Sequence, residues 1–397
     1  MAAASGPGRT FAGLTRNTVL LAFASLFGDI STEMLYPVLP VFLTQTLKAS
    51  GSALGLVEGI AQAAQNIVQG FSGWLSDRLQ RRKPVALVGY FLAAVAKPLI
   101  GVASSWQGVM GARFLDRLGA GTRSAPRDAL IASSVADEHR GKAFGIEGIG
   151  DNFGAFLGPL LALLLLGYFG VEMRLIFFLA IVPGLPAFLM VALVREPRAK
   201  VAARAPTEIT LRHLPKTYWK YLMVTALFGL GNSSNSFLIL QTQAIGVSLN
   251  KTILIYAAFN LVAALVSYPA GFLSDALGRR MILLVAFMIF LATYLGFALT
   301  DNISVIALLF ILYGAFQGIF RAVGKALATD LVPERLRASG VGCYSATIGL
   351  LGLVASVVAG LLWDHVSHAA VFLYGAVFAV VGSAALLVLL PADSKVR

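Results

Sequence analysis

Asp29 and Glu33 stand four residues apart inside one apolar stretch, with Tyr36 next along it. On a helix that spacing puts them on one face. Ionisable groups at membrane depth are costly, and their default reading is functional. Two carboxylates this close in low dielectric do not both ionise freely, so the pair can take up and release a proton. The alternative is that one of them is a buried salt-bridge partner. A later stretch carries Arg113, Asp116, Arg117, Arg123, Arg127 and Asp128, mostly on one helical stripe. Arg117 either neutralises Asp116 or faces a cavity and meets an anionic substrate group; Asp116 beside it is a further candidate substrate contact. Glu58, Gln62, Gln65, Asn66 and Gln69 make another stripe. Lipid would not tolerate it, so it lines a cavity or packs against a neighbouring helix by hydrogen bonds. Asp151, one turn from Glu147, lies deep enough to join the charge network, and Asn232, Ser233, Ser234 and Asn235 form a softer polar patch. The expected chemistry is therefore proton uptake at Asp29, Glu33 and Asp151. Solute contacts are expected at Tyr36, Gln62, Asp116, Arg117, Asn232 and Asn235.

The elements that hold these groups are apolar and long. Hydrophobic residues make up 58% of the 397 and charged residues 13%, where a soluble domain carries about 25% charged. A bilayer core needs about 20 apolar residues per helix. Twelve stretches qualify: 18–46, 52–76, 85–104, 107–129, 143–167, 173–193, 219–246, 252–274, 281–299, 303–328, 339–362 and 369–391. The long runs exclude a β-barrel, which needs short alternating strands. The net charge of +12 suits the positive-inside rule better than nucleic acid. With the N-terminus in the cytoplasm, the inner segments hold most of the Lys and Arg, while the outer turns hold little beyond Lys48, Arg174 and Lys251. Both termini are thus expected on the cytoplasmic side. The first apolar stretch is too long for a signal-peptide core and reads as a retained helix. Lys97, beside Pro98 near the outer end of its stretch, is expected to snorkel.

No Walker phosphate loop occurs, no histidine pair has metal-ligand spacing, and no nucleophile sits beside a base. His365 and His368, three apart near Asp364, give only weak support to a surface metal contact. The chain is not expected to be an enzyme or to need a cofactor. Its energy source would be a proton gradient and its partners a small-molecule substrate and the bilayer, with a monomer as the working form.

One phrase occurs twice. Gly73–Pro84 reads G-W-L-S-D-R-L-Q-R-R-K-P, and Gly271–Met281 reads G-F-L-S-D-A-L-G-R-R-M, at an offset of 198 residues. At that offset Arg123 also aligns with Arg321 and Arg127 with Lys325. Such repetition marks a transporter of two related halves. Between them, 194–218 is polar and proline-bearing and reads as a cytoplasmic linker. The double phrase resembles the basic turn, G-x-x-x-D-R-x-G-R-R, of the major facilitator superfamily. The first copy keeps Gly73, Asp77, Arg78, Arg81 and Arg82, with Gln80 in place of glycine. The second keeps Gly271, Asp275, Gly278, Arg279 and Arg280, with Ala276 in place of the first arginine.

The resemblance covers essentially the whole chain. It implies an all-α membrane protein of twelve transmembrane helices in two pseudo-symmetric six-helix bundles, 1–193 and 219–397. It implies that the two turns gate the cytoplasmic side, with Asp128 and Asp330 as candidate partners. By resemblance to the family's fourth-helix motif, Arg113 would act in proton coupling on Asp29 or Glu33, although Asp116 and Arg117 depart from that motif. Gly150, Gly154, Gly158 and Pro159 resemble a close-packing element of exporters, usually proton antiporters; ordinary helix packing would need the same small residues. The expected activity is proton-coupled export of a small amphipathic compound from the cytoplasmic (inner) membrane, as in drug efflux. The alternatives are proton-driven import of a metabolite or a metal-chelate such as a siderophore, and a non-transporting receptor.

Overall fold

The computed structural model describes residues 14–79, 81–136, 139–196, 214–333 and 336–390. Most of the linker and Gln80 lie outside the described residues, as does the side chain of Asp77. The described residues are helical nearly throughout and contain no β-strand. In chain order the helices are α1 (Arg16–Glu33), α2 (Leu39–Val41), α3 (Gly51–Leu79), α4 (Arg82–Val102), α5 (Trp106–Ser134) and α6 (Arg140–Leu163). Then follow α7 (Met173–Leu179), α8 (Ile181–Leu193), α9 (Lys216–Gly229), α10 (Ser236–Ala244) and α11 (Leu249–Leu277). The last four are α12 (Arg279–Leu299), α13 (Ile303–Asp330), α14 (Arg337–His365) and α15 (His368–Leu389). Side-chain oxygens of Thr15, Ser105, Asn302 and Ser367 cap α1, α5, α13 and α15 by accepting from first-turn amides, which would otherwise lack partners.

Two expected continuous stretches are interrupted. The stretch 18–46 breaks after Glu33, resumes as α2 and ends in a π-helical turn, Phe42–Thr46. Pro37 and Pro40 lie in the interruption and just beyond it, and proline removes a backbone donor and disfavours helix in the residue before it. The stretch 219–246 breaks between α9 and α10 across Leu230–Asn235. There Gly231 and the run Asn232–Asn235 compete with helical hydrogen bonding. Both breaks fall where the polar site residues lie.

Among the described residues, eight helical spans are long and apolar enough to cross a membrane: α4, α6 with the turn that extends it, α7 with α8, and each of α11 to α15. The polar content of α1, α3 and α5 and the break between α9 and α10 keep these outside that set. The latter half of the chain is held by an aromatic core. Phe228 stacks on Phe287 at 3.9 Å and meets Phe290, Phe316 and Phe320 at 4.9–5.8 Å.

The site is positioned by two close helix approaches. Along α6, a Cβ at Gly150 would lie 2.5 Å from the Ala22 carbonyl oxygen. One at Gly154 would lie 2.5 Å from the Leu26 carbonyl oxygen and 3.0 Å from Asp29 Cβ, and one at Gly158 would lie 2.9 Å from Glu33 Cβ. The stripe thus presses α6 onto the acid-bearing face of α1. Along α3, Gly55 meets the Ser356 carbonyl of α14 and Gly59 meets Leu353, while Gly360 of α14 meets Gly51. At that end Asp364 accepts from the backbone amides of Gly51 at 2.7 Å and Ser52 at 2.8 Å. A carboxylate on α14 therefore caps α3, from the other half of the sequence. His368 stacks on Trp363 at 3.8 Å beside it.

Overpacking a tight contact costs about 1–3 kcal/mol. Gly154→Leu is therefore expected to lower the melting temperature of the detergent-purified protein by several degrees. Gly148→Ala, where a Cβ meets nothing within 4 Å, is expected to leave it within a degree or so; equal melting of both would contradict the contact role. Asp364→Ala is expected to speed hydrogen exchange in the first turn of α3 without altering that of α12.

Candidate functional site

The interrupted helices and their neighbours enclose a polar cavity of about 270 Å³. α1 supplies Asp29 and Glu33, and Tyr36 follows in the break. α3 supplies Glu58, Gln62 and Gln65, α5 supplies Arg117, and α6 supplies Asp151 and Asn152. From the second half come Asn232, Ser233, Ser234 and Asn235, then Tyr256 and Asn260 of α11, then Gln317 and Arg321 of α13. The break in the stretch 219–246 sets the amide patch in the cavity wall, facing acids from the first half.

Behind this wall lies a largely buried charge cluster. Asp116 is fully buried. Its Oδ2 accepts from Arg113 Nη1 at 2.9 Å and from Arg117 Nε at 3.0 Å, while its Oδ1 faces Lys97 Nζ at 3.9 Å. Arg113 donates its Nε to Glu58 Oε1 at 2.9 Å, and its guanidinium lies 5.5 Å from the centroid of the Tyr36 ring. Arg117 donates Nη1 to Gln65 Oε1 at 3.1 Å. One turn or more further along α5, Arg123 Nη2 donates to Asp29 Oδ1 at 3.2 Å and its guanidinium covers the Tyr90 ring at 4.5 Å. Arg127 pairs with Asp128 at 3.0 Å and with Glu147 at 2.8 Å, and lies 3.8 Å from Asp151. Glu33 is held differently. Its Oε2 accepts from Tyr256 at 3.0 Å and lies 3.5 Å from Asn260 Nδ2, both across the seam between halves. Tyr36 and Tyr256 stack at 5.4 Å beside it.

Arg113 is bound to Glu58 and Asp116 and acts on Glu33 only at longer range; the arginine in contact with Asp29 is Arg123. Two expectations are corrected. Asp116 does not line the cavity, since two arginines enclose it. Lys97 does not snorkel: it is 2% exposed and donates to Ser31 Oγ at 2.8 Å. Arg117 does both things considered for it, binding Asp116 and lining the cavity. Glu58 and Gln62 of the α3 stripe also reach the cavity, while Asn66 turns its amide back to the Gln62 carbonyl.

Of the basic turns, the second is fully visible. Arg279 pairs with Asp275 at 2.8 Å and with Asp330, and donates to Ser274 Oγ at 2.8 Å. Arg280 donates to the Leu387 carbonyl at 2.7 Å. Gly278 has φ +94°, a value that lets α11 turn at once into α12 and that a side chain would strain. A Cβ at Gly271 would meet nothing within 4 Å. At the first turn Gly73 faces Ala125 at 3.2 Å. Arg78 ends α3, Arg81 precedes α4, and Arg82 donates Nη1 to the Ala129 carbonyl at 3.3 Å. The carboxylate that caps α4 is Glu196, through the amides of Arg82 and Lys83. Sequence reasoning missed the roles of Glu196, Asp364 and Tyr256. For Arg321 the signal was present in its alignment with Arg123.

Helical described residues that bury ion pairs beneath a polar cavity, with eight spans long and apolar enough to cross a membrane, are the features of an integral membrane protein. The model of the Major Facilitator Superfamily matches residues 21–240 and 221–397, and the chain belongs to that family. An uncharacterized MFS-type transporter of Methanocaldococcus jannaschii is 33% identical over 380 residues, covering 94% of this chain and 95% of its own. A probable 4-methylmuconolactone transporter of Cupriavidus pinatubonensis is 28% identical over 346 residues, covering 82% and 79%. Among solved structures, a mutant form of the nucleoside transporter NupG superposes with a TM-score of 0.80 at 13% identity, over 94% of this chain and 100% of that one. At that identity the likeness is one of fold.

Removing one partner from a buried charge cluster strands the others and costs about 3–5 kcal/mol. Asp116→Ala is therefore expected to cut the yield of monodisperse protein several-fold and lower its melting temperature. Gln62→Ala, at the exposed cavity wall, is expected to leave both close to wild type.

Proposed function

We propose that this chain is a proton-coupled secondary transporter that works by alternating access and exports a small polar or amphipathic organic compound in exchange for protons. The observation that carries this reading is that Asp29 and Glu33 line the same cavity as the candidate solute contacts Tyr36, Gln62, Arg117, Asn232 and Asn235. A proton and a solute then compete for one space. Competition for a site that faces each side in turn yields exchange, because each ligand stabilises the state that releases the other. The polar lining favours a solute with hydrogen-bonding groups. The name of the Cupriavidus relative, with a small organic lactone as its cargo, agrees with that size class.

In this reading the eight apolar spans are joined by α1 with α2, by α3, by α5 and by α9 with α10, giving twelve in two six-helix bundles. The bundles comprise residues 1–193 and 219–397, with a cytoplasmic connector at 194–218. Both termini face the cytoplasm, the membrane is the cytoplasmic one, and the monomer is the working unit. Asp151, tied through Arg127 to Glu147, passes charge changes on α6 to α5. The Asp275–Arg279–Asp330 cluster and the Gly73–Arg82 turn hold the cytoplasmic ends and release them in the other state. A second reading, proton-driven import of a metabolite or chelate, is favoured by one feature: Arg117 and Arg321 give the cavity two guanidinium groups for an acidic cargo.

The test is flux in proteoliposomes with an imposed pH gradient across a compound panel. Solute moving against the proton supports exchange, and solute moving with it selects the import reading. Asp29→Asn is expected to reduce gradient-driven flux to background while substrate binding persists, and Glu33→Gln to reduce gradient-driven flux to background. Normal flux in both variants would remove the coupling assignment.

A further inference from the structure

Resting on the exchange reading above, we infer that the substrate is amphoteric: a small molecule whose cationic nitrogen sits on Glu33 and whose acidic group sits on Arg321. The charges of the cavity wall are almost all spoken for. Asp29 has Arg123, Glu58 has Arg113, and Asp151 has Arg127. Arg117 has Asp116 and Gln65. Two groups are left over. Glu33 accepts only from the neutral donors Tyr256 and Asn260, with no cation within 4.0 Å among the described residues. Arg321 has neither a hydrogen bond nor an ion pair within 4.0 Å among the described residues; it lines the same cavity and acts on Glu33 only at longer range, leaving room for a solute between them. One is an acid from α1 and the other a base from α13, on opposite halves of the chain.

Arg321 is exposed to the cavity and Glu33 is half-buried at its wall, so two opposite charges stand open to a solute with no counter-ion in ion-pair reach. A cavity that keeps one of each sign is built for a ligand that brings the complement of both. The wall beside Glu33 suits the body of such a molecule. Tyr36 and Tyr256 stack there and Phe259 lies 5.3 Å from Tyr256, centroid to centroid. Gln317, one turn before Arg321, and the amides of Asn232 and Asn235 supply further hydrogen bonds. A volume of about 270 Å³ sits just below the range of about 300–1,000 Å³ typical of small-ligand sites, which limits the cargo to a small molecule.

The two ends would play different parts. A cationic nitrogen on Glu33 occupies the oxygens that a proton would take, so its arrival expels the proton. The acidic group on Arg321 competes with no proton and sets which molecules are accepted. The groups that face Glu33 are Arg113, Arg117 and Arg321 as cations, with Asp29, Tyr36 and Tyr256 as the other titratable neighbours. Only the Glu33 end is therefore expected to make binding depend on pH.

The experiment compares three probes of one shape on the purified full-length protein in nanodiscs: phenylalanine, 2-phenylethylamine and 3-phenylpropionate, which carry both charges, the cation alone and the anion alone. Phenylalanine is expected to bind about tenfold or more tighter than either single-charge probe, the scale of one charge-assisted hydrogen bond. Arg321→Gln is expected to bring phenylalanine down to the affinity of phenylethylamine and leave phenylethylamine unchanged, while Arg321→Lys retains much of the preference. Glu33→Gln is expected to remove the pH dependence of phenylethylamine binding. Equal affinity for all three probes, binding of none, or an Arg321→Gln variant that keeps the full preference overturns the inference. Proton-coupled flux without a charge preference would leave the transport reading intact and overturn the amphoteric cargo alone. The preference without any coupled flux would do the reverse.

Discussion

The structure depends on how Asp116 is satisfied. A carboxylate buried to zero exposure in the membrane interior must be surrounded by cations, and the cations must in turn be supplied with acceptors. Arg113 answers to Glu58 on α3, Arg117 to Gln65 on α3, and Lys97 on α4 to Ser31 on α1. One acid thereby fixes the relative heights of α1, α3, α4 and α5. Once those heights are set, Arg123 falls opposite Asp29 and Arg127 falls opposite Glu147, and the cavity wall takes its shape. The charges that look most like machinery in the sequence are partly scaffold.

The second half solves the same problem with different materials. Where the first half uses ion pairs, it uses rings. Phe228 stands among Phe287, Phe290, Phe316 and Phe320, and Tyr313 donates to Asn235 Oδ1 at 2.9 Å. The amide patch that faces the cavity is thus held from behind by a phenol on an aromatic platform. The chain meets itself across the seam through two carboxylates: Glu33, held by Tyr256 and approached by Asn260, and Asp364, which caps α3. A half fixed by charge thus meets a half fixed by rings along this seam.

Much of this is legible in the sequence wherever local spacing decides. The four-residue interval of Asp29 and Glu33 places both in one cavity, and the four-residue interval of Gly150, Gly154 and Gly158 places all three against α1. The double basic turn and the overall helical class follow from patterns of the same short range. What is not legible depends on register between helices. The choice between Arg113 and Arg123 as the partner of Asp29 turns on heights along α5 that no single helix encodes. Lys97 misleads because its neighbour Pro98 and its place in α4 suggest an end, while its partners Ser31 and Asp116 come from other helices. The break in the first apolar stretch is masked because Met34, Leu35 and Val38 keep it apolar around Pro37, whereas the break in the seventh coincides with Gly231 and the polar run Asn232–Asn235. Glu196 and Asp364 cap helices that lie 114 and 313 residues away in sequence, and no local motif announces a cap supplied from such a distance.

The polar helices also bear on how the chain reaches the membrane. α5 carries Arg113, Asp116, Arg117, Arg123, Arg127 and Asp128 and falls short of the hydropathy that would let it partition into lipid alone. Each charge at mid-bilayer adds about 2.5–3.5 kcal/mol against insertion of an isolated helix. Its neighbour α4 is apolar enough to insert and brings the buried Lys97 with it, and the two pack along their length. The Lys97–Asp116 pair, 3.9 Å apart, joins α4 to α5 and so also lowers the cost of bringing the two helices into the bilayer together.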